Sequence, residues 1–129
     1  MMKLLLDTHT FIWWTVSQGK LSEQVKSLLA DKQNDLFLSL VSVWEMQIKL
    51  QLNKLSFNFP LAEVLERQQQ TNDLYFLPIE LDHIYALASL PLQHRDPFDR
   101  LLIAQAVVEQ MPLLSIDSVF DGYPIQRLW

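Results

Sequence analysis

The sequence predicts an α/β fold, a three-layer αβα sandwich with a mostly parallel central sheet, and three observations predict it. Short apolar runs alternate with stretches of helical periodicity, as parallel strands joined by helical crossovers require. Half of the 129 residues are hydrophobic and only 19% are charged, so a packed core is expected rather than a disordered chain. There are no cysteines, which removes any disulfide framework or thiolate metal site as the source of order. The length fits a single domain over residues 1–129, with no repeats, linkers or low-complexity tracts.

Each element follows from local pattern. Lys3–Leu6 is a short apolar strand bounded by Asp7, and Thr8–Val16 reads as a helix closed near Gly19. Leu21–Ala30 is a second helix, with Leu21, Val25, Leu28 and Leu29 at helical spacing and Ser22 placed to cap it. Leu36–Leu40 is a second strand and Ser42–Leu52 a third helix. After the turn at Phe57-Asn58-Phe59-Pro60, a helix is expected from Pro60 to about Gln70. Leu74–Ile79 reads as a strand, and Pro78 places it at an edge or a terminus. Asp82–Leu90 is helical with Asp82 as its cap, and Pro91–Asp96 is a loop. The next helix, Pro97 to about Gln110, has a good cap in Asp96 and proline at its first position. Pro112–Ile116 is a further strand, and Ile125–Leu128 a short last one.

Charge and hydropathy narrow the function. The net charge of −5 argues against non-specific nucleic-acid binding through a basic surface. Any chemistry on nucleic acid would need metal ions or local basic residues. No apolar run approaches the ~20 residues of a membrane span, and Met1–Leu6 is too short for a leader, so a cytoplasmic location without membrane attachment is expected.

Four carboxylates stand close to expected strand ends or helix starts: Asp7 after Leu4-Leu5-Leu6, Glu45 past Leu36–Leu40, Asp99, and Asp117 after Leu113-Leu114-Ser115-Ile116. In a doubly wound sheet, ligands bind outside the carboxyl ends of the strands. Crowded carboxylates repel, and hard cations with oxygen ligands, Mg²⁺ or Mn²⁺, are the usual remedy. Each residue also has a purely local explanation. Ser42-Val43-Trp44-Glu45 fits a capping box, Asp96 and Asp99 form a similar pair, Asp7 or Thr8 can cap the first helix, and Asp117 can cap a turn through Phe120. Capping accounts for any one of them better than for all four at one end of the sheet.

Taken together, Leu4-Leu5-Leu6-Asp7-Thr8-His9, Ser39-Leu40-Val41-Ser42-Val43-Trp44-Glu45-Met46-Gln47-Ile48-Lys49, Asp96-Pro97-Phe98-Asp99-Arg100-Leu101-Leu102-Ile103-Ala104-Gln105-Ala106 and Leu114-Ser115-Ile116-Asp117 resemble the successive motifs of PIN-domain proteins. Within that family the sequence is most similar to the VapC-like toxins of bacterial type II toxin–antitoxin pairs, over nearly the whole chain. The resemblance implies a PIN-like fold and a Mg²⁺- or Mn²⁺-dependent endoribonuclease. Asp7, Glu45, Asp99 and Asp117 would form its metal-binding and catalytic site, and a metal-activated water would hydrolyse the RNA phosphodiester. It also implies a homodimer and a cognate antitoxin whose tail covers the acidic site. Ser115 matches a small hydroxyl position common before the last acidic residue.

Around that core lie supporting candidates. Thr8 follows the first carboxylate, and Asp96 precedes Asp99 by one helical turn. Lys49, Arg95 and Arg100 could hold RNA phosphates. For Lys49 the better reading is an ion pair with Glu45 four residues earlier. His9 reads as a local histidine, and His83 and His94 lack metal-ligand spacing with each other. Trp13 and Trp14, adjacent on one helix, cannot both face a core. Two other classes remain open: a metal-dependent phosphatase or receiver-like domain, and a non-catalytic PIN-like interaction module. A phosphatase would carry a second Asp where His9 stands, and a receiver would need a strand-end lysine after Asp117, which is missing.

Overall fold

The computed structural model describes residues 1–129. Five parallel strands form one sheet in the order β3-β2-β1-β4-β5, where β1 is Lys3–Leu6, β2 Asp35–Ser39, β3 Tyr75–Leu77, β4 Leu113–Leu114 and β5 Arg127–Leu128. Six α-helices connect them: α1 Thr8–Val16, α2 Glu23–Ala30, α3 Leu40–Gln51, α4 Leu61–Asn72, α5 Leu81–Ala86 and α6 Pro97–Glu109. The chain builds outward from β1 through β2 to β3, then returns to the other side of β1 for β4 and β5. That reversal makes the junction of β1 and β4 the switch point of the sheet. No helix is long and apolar enough to cross a membrane.

Strand alternation divides the core in two. Leu4, Leu6, Leu36, Leu38 and Leu114 face one side, where Phe11 of α1, Val25 and Leu29 of α2 and Val64 of α4 cover them. Leu5 and Leu113 face the other, against Leu102, Ile103 and Ala106 of α6. Leu4, Leu5 and Leu6 are completely buried, so all three positions of the apolar run are used. Each such side chain stabilises the fold by about 1.5–3 kcal/mol. Tyr75–Leu77 is the edge strand that Pro78 predicts.

Local chemistry sets the helix ends. Asp7, Ser22 and Asp96 cap α1, α2 and α6 by accepting hydrogen bonds from the Thr10, Val25, and Phe98 and Asp99 amides. α2 starts at Glu23 rather than Leu21, directly after its Ser22 cap, and two more helices depart from expectation. α3 starts at Leu40, capped by the Ser39 hydroxyl on the Val41 amide, so Ser42 lies inside its first turn and forms no capping box with Glu45. The first available hydroxyl after the strand wins the cap. α5 starts at Leu81, with Glu80 as its cap residue and Asp82 inside the first turn; the Glu80 amide donates to His83 Nδ1 (3.0 Å). α5 is also shorter than expected, passing into a 3₁₀ turn at Leu87–Ser89. Buried Gln105 on α6 locks the two layers to the sheet: its side chain accepts from the Ser39 hydroxyl and donates to the Pro78 carbonyl.

Candidate functional site

The carboxyl ends of β1, β2 and β4 and the start of α6 surround one cleft of 520 Å³. Asp7, Glu45, Asp99 and Asp117 all line it, as do Thr8, Lys49 and Asp96. Asp7 arrives as the residue that ends β1 and caps α1. Glu45 stands on α3, one turn and a half past the end of β2, and Asp99 in the first turn of α6. Asp117 begins the 3₁₀ turn Ser118–Gly122 after β4, accepting from the Val119 amide (3.0 Å). Ser115 lies buried behind the wall, where its hydroxyl bonds Asp7 and accepts from the Asp117 amide.

Each acidic group is held by protein donors. Asp7 Oδ1 accepts from the Thr10 amide at 2.7 Å. The Thr8 hydroxyl donates to Glu45 Oε1 at 2.7 Å and lies 3.0 Å from the Ser42 hydroxyl. Lys49 Nζ sits 3.1 Å from Glu45 Oε2, the ion pair that four-residue spacing predicts. His94 Nε2 lies 2.7 Å from Asp99 Oδ2. With these partners in place, no three acidic or histidine side chains converge closely enough to hold an ion between them.

Burial makes the charge of Asp7 and Asp99 costly. It pushes Asp7 above the ordinary value of 3.8, against the opposing pull of the Ser115 hydroxyl and the Thr10 hydrogen bonds. Asp99 is also raised, first by burial and further by Asp96 and Glu45, with His94 opposing. A cation in this cleft would relieve both. The donor set is all oxygen and hard, without cysteine, and suits Mg²⁺ or Mn²⁺.

The remaining candidates fall elsewhere. Arg100 does not enter the cleft; its guanidinium donates to the carbonyls of Pro91, His94 and Leu87, clamping the loop before α6. Arg95 is exposed outside the cleft. Sequence spacing gave no sign of two neighbours of the site. His94 reaches Asp99 because Arg100 holds its loop and the Tyr123 hydroxyl accepts from its amide at 2.8 Å, a contact across 29 residues. Ser42 touches Thr8 across 34 residues. His83 is structural: completely buried, it lies 2.8 Å from Glu109 across the α5–α6 contact. Of the adjacent tryptophans, Trp14 is buried in the core, while Trp13 is half-buried and lines the cleft.

Comparison with known proteins agrees with the fold. The sequence pattern of the PIN domain matches residues 4–125. No sequence among curated proteins matches the chain. Among solved structures, a chain of VapBC2 from Rickettsia felis bound to a DNA fragment from their promoter superposes with a TM-score of 0.76 at 16% identity, 98% of each chain being covered. FitAcB from Neisseria gonorrhoeae gives a TM-score of 0.64 at 19% identity, over 98% of this chain and 96% of that one. A toxin–antitoxin complex from Klebsiella pneumoniae gives 0.56 at 16% identity, over 89% and 87%. At such identities the structural likeness speaks for the fold, a five-stranded parallel sheet flanked by helices. The sequence pattern spans nearly the whole chain and every carboxylate of the cleft, and the chain belongs to the PIN domain family.

Proposed function

We propose that the chain, one domain over residues 1–129, is a metal-dependent endoribonuclease acting as the toxin of a toxin–antitoxin pair. Its cofactor is Mg²⁺ or Mn²⁺, its substrate RNA, its partners a second copy and a cognate antitoxin, and its place the cytoplasm. One observation carries the reading: Asp7, Glu45, Asp99 and Asp117, from four separate segments, line a single cleft at the switch point of the sheet. The family supports it, since PIN domains are typically nucleases. The neighbouring complexes, one of them described as toxin–antitoxin, support an antitoxin partner.

Asp7, Asp99, Glu45 and Asp117 are the residues that would hold the metal. When bound, the ion supplies charge that polarises a phosphodiester and makes a water acidic enough to serve as nucleophile at neutral pH. The chain's own groups provide position. Ser115 and the Thr10 amide fix the Asp7 carboxylate, and Thr8 fixes Glu45. Lys49 is the lysine at the cleft wall, placed to meet a substrate phosphate once Glu45 is otherwise engaged. Lys49 on Glu45 and His94 on Asp99 are partly exposed partners of the acidic groups that would hold the ion.

The test is cleavage of total cellular RNA by the purified, partner-free protein with Mg²⁺ or Mn²⁺, with chelator, and beside folded Asp7→Asn and Asp99→Asn variants. Fragments that require metal and vanish in both variants are the expected result. Cleavage that survives both substitutions would overturn the acidic site.

A further inference from the structure

The tryptophans of this chain have unequal surroundings. Trp14 is packed in the core, and Trp13 and Trp129 lie edge-on to each other with centroids 5.9 Å apart. Trp44 is different: it is 56% exposed, beside Glu45 on α3. Its ring meets Phe98 edge to face, with centroids 4.9 Å apart and planes at 76°. Phe98 directly precedes Asp99, and its amide donates to Asp96 Oδ1 at 2.9 Å, so its backbone is fixed by the capped start of α6. The pair therefore stands where α3 and α6 deliver Glu45 and Asp99. A second aromatic ledge lies on α1, where exposed His9 rests on Trp13 (6.0 Å) and both line the cleft. The two ledges thus stand on different elements, one on α1 and the other where α3 meets the start of α6.

An RNA strand crossing this cleft finds little positive charge. The chain carries −5, and Lys49 is the one lysine or arginine at the wall. Affinity then has to come from something other than phosphate neutralisation. Aromatic faces supply it, since a stacked base is worth roughly 5- to 100-fold in affinity and any base has a face to offer. Bases in a duplex are already stacked on one another and cannot use such a ledge. We propose that Trp44, braced by Phe98, is a stacking platform for an unpaired base next to the phosphate held at the cleft, with His9 and Trp13 on α1 receiving another base. This rests on the nuclease reading for the position of the phosphate, and on the exposed rings for the rest.

Binding of a short randomised single-stranded RNA, and of the same RNA annealed to its complement, tests the proposal by fluorescence anisotropy with Ca²⁺ and with chelator. Thermal melting checks each variant's fold. Trp44→Ala is expected to weaken single-strand binding about tenfold. Trp44→Phe should recover most of that loss, and Trp44→Leu, apolar but without a ring face, should not. Equal binding by Trp44→Ala and the parent protein overturns the proposal. So does full activity of Trp44→Leu, preference for the duplex, or no RNA binding by the parent protein in either condition. A change of solution mass in Trp44→Ala with RNA affinity intact also overturns it, and identifies the ring as a protein contact. Cleavage with Mn²⁺ separates the two readings. Binding through Trp44 with no metal-dependent cleavage removes the nuclease and leaves the platform, whereas cleavage with Trp44-independent binding removes the platform alone.

Discussion

Asp7 serves two purposes that pull against each other. It caps α1 and ends β1, yet burial makes its charge costly. Because the folded values of Asp7 and Asp99 lie above 3.8, each keeps a proton in the folded chain after the unfolded chain has lost it. Their contribution is therefore favourable at acid pH and is lost as pH climbs from the unfolded value through the raised folded one, so both oppose folding at neutrality. Asparagine caps as well as aspartate but carries no charge. Asp7→Asn should accordingly melt about 2–5 °C higher than the parent protein at pH 7 in chelator, read by calorimetry, while losing metal-dependent cleavage. Mn²⁺ should raise the melting temperature of the parent protein at pH 7 and have progressively less effect as pH falls into the range where Asp7 and Asp99 take up protons. An equal Mn²⁺ shift in Asp7→Asn would show that the ion binds elsewhere.

Among the elements, α6 bears the greatest load, because it packs on the sheet, anchors Gln105 and presents Asp99. Gln105→Ala leaves a void in a fully buried position and takes the acceptor from the Ser39 hydroxyl and the side-chain donor from the Pro78 carbonyl. A loss of about 2–4 kcal/mol is expected in urea unfolding, with cleavage falling only as the folded fraction falls. Asp96→Ala, which removes the cap on two amides, should cost about 1 kcal/mol and also lower cleavage, since the same cap fixes the turn that carries Asp99. Helix starts at Ser22 and Asp96 were legible because capping is local, decided within three residues. The start of α3 was not, since Ser39 and Ser42 both suit a cap and only the true end of β2 chooses between them. The pairing of Lys49 with Glu45 could be read from spacing. That of His94 with Asp99 could not, for it depends on Tyr123 and Arg100 placing a loop.

At the level of the whole molecule, the parallel sheet and its edge strand were legible because apolar runs and prolines carry that information directly. The gathering of four carboxylates was legible as a set, through their places near strand ends and helix starts, while the orientation of each side chain was not. The acidic surface has its own measurable consequence. With one lysine at the cleft wall, few counterions are released on binding, so the logarithm of RNA affinity should fall with the logarithm of monovalent salt at a slope of about −0.7 to −1.5. A steep slope would instead reveal a basic surface away from the cleft. Finally, β1 pairs in parallel with β4, Leu6 opposite Leu114, so the cleft joins carboxylates from segments more than a hundred positions apart. A fragment without β4 and the turn after it lacks Asp117 and has no complete acidic cleft. If the protein cuts RNA, a chain in which β4 has not yet closed onto β1 is harmless, and cutting starts only with folding.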